Sequence, residues 1–191
     1  MLCDGQGREA EGLILERDSN GVSVELGPVV ENRNEPATNV SLYCAVLKKE
    51  NFELVCQKAT EAGVAEIIPV VSERTVKLNL RAERGKKIIR EAAEQSGRGR
   101  MPVLLGPMEF EEALERSRSA TRRLMMDASG SALLSKAEPA QTTAVFIGPE
   151  GGWSSLELDQ AREAGLEIIS LGSRTLRAET AAIIAVYLAA N

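Results

Sequence analysis

Residues 145–181 decide the fold. They open as Val145-Phe146-Ile147-Gly148-Pro149-Glu150-Gly151-Gly152-Trp153 and close as Leu171-Gly172-Ser173-Arg174-Thr175-Leu176-Arg177-Ala178-Glu179-Thr180-Ala181. At each end an apolar strand runs into a loop rich in glycine and charge, and each loop feeds a helix. That is how an α/β protein builds a pocket for a small ligand with polar and apolar parts. Between the two loops, Ser154-Ser155-Leu156-Glu157 is a capping box; it opens a helix that stops at Gly165.

Outward from this stretch, strand and helix alternate from Asn39 onward. Apolar runs predict strands at 40–47, 64–71, 103–105, 123–126, 143–147 and 166–171. Helical spacing predicts helices over 51–62, 81–96, 110–116 and 179–190. In the first helix Phe52, Val55, Cys56, Ala59 and Ala62 share a face, and Gly63 is the stop signal. Such alternation implies a mostly parallel sheet covered by helices on both faces. The last helix is apolar nearly all round, so it should be buried on more than one side, in the core or in a dimer interface. Before Asn39 the pattern differs. Strands at 12–17 and 21–26 flank the turn Asp18-Ser19-Asn20-Gly21, and two strands so short cannot stand alone.

Composition narrows the chemistry. The 191 residues suit one sizeable domain, or one domain plus a fragment. No apolar run approaches the roughly 20 residues of a membrane span, and the N-terminus has no signal-peptide pattern, so the cytoplasm is the expected location. Cys3, Cys44 and Cys56 lack metal-ligand spacing, and no metal is expected. The chain has no histidine, which excludes the usual general base and Ser-His triads. Net charge is −5, yet residues 81–100 carry +4 through Arg81, Arg84, Lys86, Lys87, Arg90, Arg98 and Arg100. Such a patch either binds phosphates or is a solvated helix face with a basic loop.

Four elements carry candidate chemistry. The loop 148–153 suits close approach of backbone to a ligand, but it is neither a dinucleotide fingerprint nor a Walker loop; a plain strand-to-helix turn fits it as well. The loop 172–180 sets Arg174, Arg177 and Glu179 between a buried strand and a buried helix. Glu179 there is expected to cap the last helix and to pair with Arg177, a pairing that would also hold the loop in shape. The run Glu91 to Pro102 ends a helix in Gly97-Arg98-Gly99-Arg100, suited to phosphate contacts. Ser72-Glu73-Arg74 lies at a strand's C-terminal end, where open α/β sheets place ligands.

In this order, these four elements resemble the ribosomal RNA small subunit methyltransferase E family, of the SPOUT class, over roughly residues 39–191. The resemblance implies methylation of N3 of a specific uridine in 16S rRNA with S-adenosylmethionine. It implies an α/β fold with a SPOUT-type parallel sheet and a C-terminal trefoil knot, working as a homodimer. Residues 39–191 would be the methyltransferase domain, 32–38 a linker, and 1–31 the remnant of a PUA-like β-barrel that helps bind RNA. By position, Ile147, Gly148, Glu150, Gly152, Leu171, Gly172, Leu176 and Thr180 would contact the cofactor, and Arg177 and Glu179 would be catalytic. Arg74, Lys86, Lys87, Arg90, Arg98 and Arg100 are the RNA candidates. Ser173 stands where the family often has proline, and Ala178 where it often has threonine. The family's opening strands have no counterpart before Leu2. The second reading is therefore a cofactor-binding dimer that does not itself methylate RNA.

Overall fold

A computed structural model describes residues 1–75, 80–130, 132–133 and 140–191. Five short strands come first: β1 (Leu2–Cys3), β2 (Arg8–Ala10), β3 (Gly12–Arg17), β4 (Val22–Leu26) and β5 (Val30–Glu31). Then follow β6 (Asn39–Ala45), α1 (Lys49–Glu61), β7 (Val64–Val71), α2 (Ala82–Ser96), β8 (Val103–Leu104), β9 (Met108–Glu109) and α3 (Phe110–Arg116). The chain closes with β10 (Arg122–Met126), β11 (Ala132–Leu133), β12 (Thr142–Ile147), α4 (Ser155–Glu163), β13 (Glu167–Ser170) and α5 (Ala178–Ala190). The longer elements agree with the sequence reading to within a few residues. The two- and three-residue strands β1, β2, β5, β9 and β11 were not legible, since so short a run has no period.

The sheet runs β11-β13-β10-β12-β6-β7-β8, with β9 also on β7, and every pairing in it is parallel. Period-two alternation divides its side chains between two layers. Val40, Leu42, Cys44, Leu124, Val145 and Ile147 meet α1, α2 and α5 through Phe52, Val55, Ile89, Ala182 and Val186. Tyr43, Ile68, Met125 and Phe146 meet α3 and α4 through Phe110, Leu114 and Ala161. Tyr43 stacks on Phe146 at 4.5 Å and Phe110 meets Phe146 edge-on at 6.4 Å. A parallel sheet aligns the C-terminal ends of its strands along one edge. Ile147, Met126 and Ser170 all stand on that edge, and the site lies there.

The N-terminal strands form a three-stranded sheet, β1-β2-β5, and a separate β3–β4 hairpin. The hairpin leaves Leu13, Ile14, Leu15, Val22 and Leu26 exposed, so this unit has little core of its own. It is tied instead to the loop after α2. Gly97 ends α2 in the left-handed region. Gly7 N–H donates to the Gly99 carbonyl at 2.8 Å, and Met101 N–H to the Gly5 carbonyl at 3.1 Å. Asn32 and Asn34 side chains both donate to the Gly97 carbonyl at 3.1 Å. Gly99 is required, because a Cβ there would stand 2.4 Å from Asn32 Cβ. Among the described residues, no helix is long and apolar enough to cross a membrane, and no group of acidic or cysteine side chains is arranged to hold a metal.

Candidate cofactor site

The loops 148–153 and 171–177 face one another across a cavity of about 520 Å³ at the C-terminal ends of β10, β12 and β13. That is within the range of roughly 300–1,000 Å³ of small-molecule sites. Of the residues expected to hold the cofactor, Ile147, Gly148, Glu150, Gly152, Leu171, Gly172 and Leu176 line it, as do Arg177 and Glu179. Thr180 does not line it; it is half-buried one position into the first turn of α5 beyond Glu179.

Local backbone chemistry shapes both loops. Gly152 has φ 69°, left-handed, and its N–H closes a turn on the Pro149 carbonyl at 2.9 Å. Gly172 has φ 120°, and its N–H donates to Ser170 Oγ at 3.2 Å. Trp153 packs beneath the first loop. Its Nε1 donates to the Met126 carbonyl at 3.2 Å and its ring lies 5.3 Å from Phe110. A Cβ at position 148 would stand 3.1 Å from that ring, so only glycine fits without displacing it.

The charges divide sharply. Arg177 is the N-cap residue of α5 and is exposed. Glu179, in the first turn, is only 6% exposed, and its Oε2 has no hydrogen-bond partner. The positive end of α5 favours a carboxylate there. The expected pairing of Glu179 with Arg177 is absent from the ion pairs among the described residues, because the two side chains part into core and solvent. A buried carboxylate oxygen without a partner, beside Ile147, Leu171 and Leu176, fits a ligand with a cationic group and an apolar ring. Lys48, Asn51, Met126, Asp127, Trp153, Ser170 and Arg174 also line the cavity. Sequence reasoning missed Lys48, Asn51 and Met126, which come from elements remote in the chain.

The basic candidates do not form one surface. Lys86 and Lys87 lie exposed on α2, pairing with Glu83 at 2.8 Å and Glu91 at 3.8 Å. Arg90 is exposed, without an ion pair among the described residues, and Arg100 is exposed beside Gly7. Arg98 departs from the expected phosphate contact. Its side chain is 5% exposed and pairs with Glu35 at 2.8 Å. Its Nη1 also donates to the carbonyls of Thr60 and Val64, while its buried Nε has no partner, so the guanidinium is turned into the fold and not toward solvent. Arg74 lies against the first glycine loop, donating to the carbonyls of Gly151 at 2.8 Å and Trp153 at 3.2 Å.

Comparison with known proteins bears on this site. Residues 33–190 match the family described as RNA methyltransferase domain. A protein named ribosomal RNA small subunit methyltransferase E from Mesomycoplasma hyopneumoniae is 34% identical over 169 residues, covering 86% of this chain and 74% of that one. Its namesake from Synechocystis is 33% identical over 194 residues, covering 97% of this chain and 63% of that one. The Neisseria gonorrhoeae enzyme of the same name, solved bound to S-adenosyl methionine, superposes with a TM-score of 0.87 at 31% identity, covering 96% of this chain and 78% of that one. A Legionella pneumophila methyltransferase, solved with the same cofactor, superposes with a TM-score of 0.85 at 32% identity, covering 96% and 78%.

Proposed function

The chain belongs to the ribosomal RNA small subunit methyltransferase E family, and on that premise we propose that it transfers a methyl group from S-adenosylmethionine to N3 of a uridine in 16S rRNA. The observation that carries this reading is the buried carboxylate of Glu179, its Oε2 without a hydrogen-bond partner, on the wall of the cavity between the two glycine loops. A cationic cofactor supplies the partner that the fold withholds.

S-adenosylmethionine, when bound, supplies a methyl group on a sulfonium, already activated for transfer. The remaining work belongs to this chain. Ile147, Leu171 and Leu176, which line the cavity, would hold the apolar part, and the backbone of Gly148, Gly152 and Gly172 would approach it closely. Glu179 opposes the positive charge. The target uridine is turned out of its stack to reach this edge of the sheet. Arg177 stabilises the negative charge that develops on the base as N3 loses its proton. That proton leaves to water at the open side of the cavity, beside exposed Glu150. With N3 deprotonated, the base would take the methyl group in place of that proton, and the sulfur would leave as a neutral thioether.

Lys86, Lys87, Arg90 and Arg100 contact RNA phosphates in this reading. Residues 1–31 form a PUA-like unit that helps hold the RNA, and 39–191 the methyltransferase domain, joined by 32–38. The C-terminal loops thread as a trefoil knot, and two chains pair through α5.

The test supplies small ribosomal subunits lacking the modification, with methyl-labelled cofactor. Label is expected at a single uridine, where it blocks reverse transcription. Cofactor binding without transfer would leave the second reading, a cofactor-binding dimer. Arg177→Ala is expected to keep cofactor affinity while turnover falls roughly 100-fold. Near-normal turnover would overturn the role given to Arg177.

A further inference from the structure

The turn after β7 takes no part in the cavity wall, yet it is built with care. Thr75 N–H donates to the Ser72 carbonyl at 2.9 Å, and Ser72 N–H to Thr75 Oγ1 at 3.0 Å. The two hydroxyls meet at 2.8 Å. This fixes the two residues between them. Glu73 N–H donates to Oε1 of Glu157 at 2.9 Å, while Oε2 of the same carboxylate accepts from Ser154 N–H at 2.8 Å. Glu157 is 4% exposed. One buried carboxylate therefore joins the turn to the start of α4. Arg74 makes the second tie, through Nη1 to the carbonyls of Gly151 and Trp153.

Those two carbonyls flank Gly152, whose left-handed backbone lines the cavity. The loop from Gly148 to Trp153 contains three glycines, so its unrestrained ensemble is broad. Fixing backbone costs about 1–2 kcal/mol per residue. A ligand that binds a loop already held in shape does not bear that cost. A guanidinium suits this task, since its charge strengthens the hydrogen bonds to neutral carbonyls.

We infer that Arg74 is a positioning residue for the methyl-transfer reaction: it acts through the carbonyls of Gly151 and Trp153 to hold the first glycine loop in its cofactor-receiving shape. The inference rests on the cofactor reading of the cavity and assigns Arg74 to the cofactor, not to RNA.

The test compares the full-length wild type with Arg74→Ala and Arg74→Lys. Cofactor affinity is read by calorimetry and by the emission of Trp153, the sole tryptophan. Steady-state kinetics then separate KM for S-adenosylmethionine, KM for small subunits, and kcat. Loss of a charged hydrogen-bond donor predicts that Arg74→Ala raises Kd and KM for the cofactor roughly 10-fold. KM for small subunits, its salt dependence, and kcat at saturating cofactor stay at wild-type values. Arg74→Lys restores part of the affinity, and it serves as the test variant should the alanine form not fold. Unchanged cofactor affinity in both variants overturns the inference. So does a raised KM for small subunits with a shallower salt dependence, which would return Arg74 to the RNA surface. A wild type that fails to bind S-adenosylmethionine sinks the cofactor reading itself, a result distinct from either.

Discussion

Glu179 carries an electrostatic demand that the fold leaves unmet. A buried polar atom without a partner costs about 1–3 kcal/mol. Glu179→Met, which removes the unpartnered oxygens at nearly the same side-chain volume, is therefore expected to stabilise the ligand-free protein, raising its melting temperature by roughly 2–4 °C for each kcal/mol recovered. The same change is expected to weaken S-adenosylmethionine binding. Thermal unfolding with and without cofactor checks both signs, and a lower melting temperature in the ligand-free variant would refute the account. The cysteines show burial acting the other way. The Cys56 thiol is pushed up to about 12, first by burial and then by the nearby Glu53 carboxylate. Burial likewise raises Cys44, whereas Cys3 is exposed. Alkylation of the native protein near pH 8 should label Cys3 alone, and all three cysteines only after unfolding, as mass spectrometry would show. Among the site residues, the glycine loops and Glu179 were legible because their chemistry is local. The burial of Glu179 without Arg177 was not, because nothing in the sequence says which side of the loop faces the core.

Helix α4 shows how much an element can be read from four letters. Ser154 and Glu157 form the expected capping box: Glu157 N–H donates to Ser154 Oγ at 3.3 Å, and Ser154 N–H to Glu157 Oε2 at 2.8 Å. Ser154→Ala is expected to cost about 1 kcal/mol, read from urea unfolding. Glu157→Ala should cost more, since it also strands the Glu73 N–H; equal losses would show that the tie to the β7 turn contributes nothing. That second tie was invisible in the sequence. Helix α5 was read as apolar all round, and it buries Ala182, Ala185, Val186 and Ala189 against the sheet. Ile184 stays 37% exposed and Tyr187 58%. If two chains pair there, Tyr187→Glu should shift wild-type dimer to monomer in sedimentation velocity.

At the scale of the whole molecule, the polar hub of Arg98 and Glu35 holds the N-terminal unit that has so little core. Burial alone would raise the Glu35 carboxyl, but hydrogen bonds from Arg98 and from Arg100 N–H outweigh it and hold the group below the usual carboxylate value. A depressed pKa gives stability that is present above the unfolded value, 4.5, and is lost as pH falls through the lower folded value. The N-terminal unit should therefore become protease-sensitive as pH drops below that point. Glu35→Gln should make that sensitivity appear already at neutral pH. Arg98→Ala strands Glu35 and two carbonyls together and should cost about 3 kcal/mol. A neutral-pH digestion pattern unchanged in both variants would mean that the hub does not hold the unit.

The sequence by itself determined the alternation of strands and helices, the parallel sheet, the two glycine loops and the capping box. Periodicity, turn chemistry and caps act over a few residues, so their signals lie within a few residues of one another. Only the tertiary structure decided the strand order, the burial of Glu179, and the partners of the arginines. Arg98 meets Glu35 across 63 positions, and Arg74 meets Gly151 across 77. An arginine's charge is written in the sequence. Whether it is spent on a carbonyl, a carboxylate or a phosphate depends on what the packed sheet brings within about 3 Å of it.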